Sequence, residues 1–129
     1  MFEDVEFVDP LPTPPCVLLV EDDVGLADAL ESVLVVAGFD VQWANTVAGA
    51  LHALDSFEVE VVVTDFELPD GSGCRVAGVA RDQGVPVVAA TGRGEAPVRA
   101  LLQDAGVHAV LLKPFGAREL REAVASALR

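Results

Sequence analysis

No lysine or arginine occurs in the first 74 of this chain's 129 residues. That stretch carries 16 Asp and Glu, while the rest of the chain holds five acids and all eight basic residues. The net charge is −13. Phosphate backbones need a basic patch, so this balance argues against direct contact with nucleic acid. It argues equally against an anionic membrane surface. Cysteine is scarce too: Cys16 and Cys74 are far apart and in no metal-ligand spacing. A chain with this much apolar content needs no disulfide staple, so a reduced, cytoplasmic setting is expected. The N-terminus Met1-Phe2-Glu3-Asp4 lacks the basic start and apolar core of a signal peptide. No apolar run exceeds six residues, far short of a membrane span, so no membrane insertion is expected. The nucleophile pattern G-x-S-x-G is also missing, which removes one common hydrolase class.

What is present is 52% hydrophobic residues in one domain's length, enough to bury a core. Residues 1–15 hold four acids and four of the eight prolines and read as an extended or disordered tail. The folded domain is expected over 16–129. From Cys16 onward a pattern repeats: a short Val-rich run, then a helix-length segment, then a turn. Strands are expected at 16–20, 40–44, 59–64, 85–90 and 108–112. Helices are expected near 24–37, 46–56, 73–83, 95–105 and 117–128. Gly38, Gly84 and Gly106 each follow a helix, where a left-handed cap favours glycine. Asn45 or Thr46 can cap the second helix, and Ser72 the third. In the first helix Leu26, Leu30, Val33, Leu34 and Ala37 share one face, with Asp28 and Glu31 opposite.

Five strand–helix units with near-continuous apolar strands predict an α/β fold: a five-stranded parallel sheet with helices on both faces. Right-handed crossovers favour a doubly wound, flavodoxin-like order 2-1-3-4-5. The loops after the strands then share one edge, where ligands bind. Those loops collect Glu21, Asp22 and Asp23 after the first strand, and Asp65 with Glu67 after the third. Thr91 follows the fourth, and Lys113, the chain's only lysine, follows the fifth. Converging carboxylates repel unless something offsets them. A hard divalent cation held by oxygens does so, and Mg²⁺ fits a site with few carboxylates and open water positions better than Ca²⁺. Carboxylates, Mg²⁺, a hydroxyl and an ammonium together describe a phosphoryl site. One carboxylate can be the nucleophile that forms an aspartyl-phosphate. Taken singly, each residue has a plainer reading: helix caps for the acids and Thr91, a surface charge for Lys113.

The segments VLLVEDD (17–23), VVVTDFELPDGSG (61–73), AATG (89–92) and LLKPF (111–115), in this order, resemble the CheY-like receiver domain of response regulators. The likeness runs from about residue 16 to 128. It implies that Asp65 is the phosphoacceptor, that Asp22 ligates Mg²⁺ directly, and that Glu21 acts beside it, often through water. Glu67 would lend its backbone carbonyl to the metal. Thr91 would hydrogen-bond a phosphoryl oxygen, and Lys113 would pair with the phosphoryl group or, before phosphorylation, with Asp65. Pro114 would follow a cis peptide bond. The implied donor is a sensor histidine kinase or a histidine phosphotransfer protein. The implied chemistry is self-modification in two-component or phosphorelay signalling, not turnover of a separate substrate.

Two features bear on that likeness. Receivers commonly place an aromatic ring three residues before the lysine, and here that position is Val110 in a chain without tyrosine. In this family the positions of Glu67 and Arg93 flank the entrance for attacking water, and their opposite charges could bridge it. The chain stops after the fifth helix, which reads as a stand-alone receiver without a DNA-binding segment or as one cut from a larger protein. Two other classes remain at this point. A pseudo-receiver would bind partners without phosphorylation, as Val110 mildly suggests. A Mg²⁺-dependent phosphatase or nuclease would use Glu21, Asp65 and Glu67, but predicts neither Lys113 nor Pro114.

Overall fold

The computed structural model describes residues 13–129. The tail expected over 1–15 therefore lies mostly outside the described residues. Twelve elements follow in order: β1 Cys16–Val20, α1 Val24–Val36, β2 Asp40–Ala44, α2 Val47–Ser56, β3 Val61–Asp65, β4 Glu67–Leu68, β5 Gly71–Ser72, α3 Gly73–Asp82, β6 Val87–Thr91, α4 Ala96–Asp104, β7 Ala109–Leu112 and α5 Ala117–Ala127. Five strands form one parallel sheet in the order β2-β1-β3-β6-β7. This is the expected 2-1-3-4-5 order. The two-residue strands β4 and β5 pair separately as a hairpin, a pairing that the sequence pattern does not predict.

The sheet's alternation sorts the core. Val17 and Leu19 point to one face, with Val61, Val63 and Val88, and pack on α1 and α5 through Leu30, Leu34, Leu120 and Val124. Leu18, Val20 and Val62 point to the other face and meet Leu54, Val76 and Ala80 of α2 and α3. Ala89, on the same side of β6 as Val87, packs with Val98 and Leu102 of α4 and with Phe66. Val110 is half-buried against this last cluster. Two expectations need correction. Ala37 is exposed as the C-cap of α1, and Ala27 takes the buried place on that helix. Strands β3 and β6 each begin two residues late and end one residue late. Pro86 has no N–H for the ladder and only accepts from Val62, at 3.0 Å. Asp65 and Thr91 are thus the last residues of their strands rather than loop residues.

Thr46 caps α2 through the Gly49 N–H, and Ser72 caps α3 through the Cys74 N–H. A second cap reaches α2 from outside it. Asp70, beyond the end of β3, accepts from the Val47 and Ala48 N–H groups at 2.7 and 3.0 Å. Those two bonds hold the Asp70 carboxyl below its ordinary pKa. Between them, Thr46 and Asp70 satisfy three of the helix's orphan N–H groups. They also tie the segment after β3 to the start of α2.

Candidate phosphoryl and metal site

The C-terminal ends of β1, β3, β6 and β7 meet at one edge of the sheet; β1 delivers two acids, and each of the others one functional side chain. Glu21 follows β1 directly and is 2% exposed. Asp22 beside it is exposed, and Asp23 turns away to cap α1 through the Leu26 N–H at 2.9 Å. Asp65 ends β3 half-buried. Behind it the chain passes very close: a Cβ on Gly73 would collide with the Asp65 carbonyl oxygen. Glycine at 73 is therefore required by the approach of α3 to the end of β3, a contact the sequence alone had not suggested. Thr91 ends β6 buried; its hydroxyl accepts from the Arg93 N–H at 3.0 Å, and its carbonyl accepts from the Lys113 N–H at 2.8 Å. That second bond anchors the lysine loop to the strand carrying Thr91. The Lys113–Pro114 peptide bond is cis.

The Lys113 ammonium lies between two acids. Its Nζ donates to Glu21 Oε1 at 2.8 Å and to Asp65 Oδ2 at 3.0 Å. The other Glu21 oxygen accepts from the Asp23 N–H at 3.1 Å. Burial pushes the Glu21 carboxyl above its ordinary pKa, more than its hydrogen bonds to Lys113 and Asp23 lower it. For Lys113 burial works the other way, but the bonds to Glu21 and Asp65 and their charges outweigh it and hold the ammonium above its ordinary value. Lysine is therefore a fixed positive charge at neutral pH.

Carboxylate oxygens of Glu21, Asp22 and Asp65 come within 4.8 Å of one another. One ammonium does not balance three carboxylates at such range. The donor set is all oxygen, which suits a hard divalent cation such as Mg²⁺ and not zinc or copper. The residues present fit that ion.

At the mouth of the cleft stands a second group. Arg93 Nη1 meets Glu67 Oε1 at 2.6 Å, and Arg93 Nε meets Glu95 Oε1 at 2.8 Å. The guanidinium carbon lies 6.0 Å from the centre of the Phe66 ring. Glu67 and Arg93, singled out together in the sequence, are thus brought into contact, with Glu95 as a third member not foreseen. The cleft is lined by Asp22, Asp65, Glu67, Thr91, Arg93 and Lys113, with Leu68, Pro69 and Gly92 completing its wall.

A doubly wound sheet with an acid pair after β1, an aspartate ending β3, a hydroxyl ending β6 and a lysine after β7 defines a class of signalling domain. The family model for the response regulator receiver domain matches residues 17–125. The chain belongs to the response regulator receiver domain family of two-component systems. It is 36% identical over 106 residues to the swarming motility regulation protein RssB of Serratia marcescens, covering 81% of this chain and 48% of that protein. It is 35% identical over 114 residues to the transcriptional regulatory protein KdpE of Mycobacterium tuberculosis H37Rv, covering 88% of this chain and 50% of that one. The chain spans about half the length of the curated relatives it matches. Among solved structures, it is similar to a CheY-like response regulator receiver domain protein from Methanospirillum hungatei JF-1. The TM-score is 0.85 at 25% identity, over 89% of this chain and 94% of the other.

Proposed function

We propose that this receiver domain accepts a phosphoryl group onto Asp65 from a phosphohistidine on a sensor histidine kinase or a histidine phosphotransfer protein. The observation that carries the reading is the convergence on Asp65: Lys113 is bonded to one of its oxygens, and carboxylate oxygens of Glu21 and Asp22 lie within 4.8 Å. Asp65 forms the new P–O bond as the P–N bond to the donor imidazole breaks. Lys113 moves its hydrogen bond from Asp65 to the incoming phosphoryl oxygens, while Glu21 keeps its other side in place. The Thr91 hydroxyl donates to a phosphoryl oxygen. Asp22, Asp65 and the Glu67 carbonyl would hold Mg²⁺, and Glu21 would act on it through water. When bound, Mg²⁺ supplies positive charge for the phosphoryl oxygens in the in-line transfer.

The domain modifies itself and turns over no separate substrate. It works in the cytoplasm, in keeping with two free cysteines. Among the described residues, no helix is long and apolar enough to cross a membrane. The domain itself makes no direct contact with nucleic acid, on the strength of its net charge of −13. The transcriptional role in the name of KdpE belongs to a protein about twice the matched length. Val110, at the position where receivers commonly carry an aromatic ring, packs against the cluster of Phe66, Ala89, Val98 and Leu102; a valine has no ring to turn inward, and we infer that movement of the Thr91 loop carries the output instead.

The test uses phosphoramidate, a small donor whose P–N bond mimics phosphohistidine. With Mg²⁺ present, intact mass should rise by one phosphoryl group, and chelation with EDTA should prevent it. A protein that stays unmodified while folded and Mg²⁺-bound is a pseudo-receiver. Continuous release of phosphate from an added phosphate ester marks a phosphatase.

A further inference from the structure

Every polar group of Glu21 is engaged. Its N–H donates to the Ala44 carbonyl at 3.0 Å, and its carboxylate takes Lys113 and the Asp23 N–H. Its carbonyl accepts from the Trp43 indole N–H at 2.8 Å. Trp43 is the chain's only tryptophan. It lies on the edge strand β2 and is 45% exposed. A ring so placed gains less from burial than a core tryptophan does, so its directed hydrogen bond is the feature that sets this position apart.

That bond lands on a particular peptide unit. The Glu21 carbonyl and the Asp22 N–H belong to one rigid plane. Fixing the carbonyl direction fixes the plane from which the Asp22 side chain departs toward the cleft. The far end of the same short loop is fixed by Asp23, which caps α1. Asp22 is therefore the exposed middle of a clamped three-residue bridge between β1 and α1. We propose that Trp43 is a positioning residue for the metal-binding acid Asp22, acting through the Glu21–Asp22 peptide. The inference rests on the Mg²⁺ reading of the site given above. Coupling of this kind is reciprocal: what holds Asp22 ready for a cation is itself perturbed when the cation binds.

The experiment is a calorimetric Mg²⁺ titration of the wild-type domain and three variants. Trp43→Phe removes the donor and part of the ring. Replacement of Trp43 by 3-benzothienylalanine keeps the ring size and removes only the N–H. Asp22→Ala removes the ligand. Losing one hydrogen bond should weaken Mg²⁺ binding about threefold to tenfold in both Trp43 variants. Urea unfolding of the benzothienyl variant in EDTA checks that the fold is retained. In the wild type the indole N–H resonance should shift on Mg²⁺ addition, and in Asp22→Ala it should not. A benzothienyl variant that binds Mg²⁺ as the wild type does overturns the role of Trp43, even if Trp43→Phe is weakened. Such a result leaves the metal site standing if Asp22→Ala has lost binding. A wild-type domain that binds no Mg²⁺, or an Asp22→Ala variant that binds it unchanged, defeats the metal site and this inference together.

Discussion

Lys113 and Arg93 each bridge two carboxylates over the same cleft, one at its floor and one at its rim. On the floor, Lys113 is 22% exposed and its partners Glu21 and Asp65 are 3% and 13% exposed at their side chains. On the rim, Arg93, Glu67 and Glu95 are 53%, 61% and 48% exposed. The bond lengths are alike, so distance does not separate them. Solvent does. Water screens the rim charges, and such pairs contribute little to stability. The floor charges have little water to return to, so each depends on its partners. The floor is thus a fixed site with a structural stake, and the rim is an adjustable cover.

The largest effect should follow from cutting the floor. Lys113→Ala leaves Glu21 buried beside two other acids. It should cost about 3 kcal/mol, the low end for breaking a buried pair because Lys113 is partly exposed. Urea unfolding in EDTA measures it, and an unchanged midpoint would erase the distinction between floor and rim. The backbone around the two groups should differ in the same way. At Gly73 an added methyl meets the Asp65 carbonyl, whereas at Gly92 it meets nothing within 4 Å. Gly73→Ala should cost about 2 kcal/mol or more through forced backbone movement. Gly92→Ala should leave the unfolding midpoint nearly unchanged.

Asp70 gives a pH-dependent contrast outside both groups. Its pKa is lowered in the folded state by the Ala48 and Val47 N–H groups. The charged form is therefore the stabilising one. Its contribution is full above the unfolded aspartate pKa of about 3.9 and is lost as pH falls through the lower folded value. Asp70→Asn keeps an acceptor and removes the charge. Its stability deficit against wild type should be present at pH 7 and should narrow in acid, as thermal melts across pH can follow. The smallest effect on stability belongs to the rim. Arg93→Ala and Glu67→Ala should leave the melting temperature almost unmoved while changing the lifetime of the aspartyl-phosphate severalfold. Equal lifetimes in both variants and wild type would remove any role for the bridge as a gate.

Much of this was legible in order and type. The Val-rich runs and the glycines after helices fix the alternation of strands and helices, because burial on both sheet faces demands that pattern. Once the alternation is known, the crossover rule brings Glu21, Asp22, Asp65, Thr91 and Lys113 to one edge. What was not legible was contact across distance. Asp70 reaches Val47 and Trp43 reaches Glu21 over more than twenty residues. Nothing in local spacing marks such a pair. Nothing in the local sequence marks Gly73, and only the approach of α3 to Asp65 shows why a side chain is barred there. The strand starts were misplaced because a hydrophobicity pattern does not register that Pro86 cannot donate.

The central claim is that Asp65 is the acceptor and the Lys113 floor its catalytic surround. The most direct measurement is intact and peptide-level mass analysis after incubation with acetyl phosphate and Mg²⁺, for wild type and Asp65→Asn. The account predicts one added phosphoryl group, mapped to the peptide containing Asp65 and absent from Asp65→Asn. An adduct that persists in Asp65→Asn, or none in a folded, Mg²⁺-bound wild type, would contradict it.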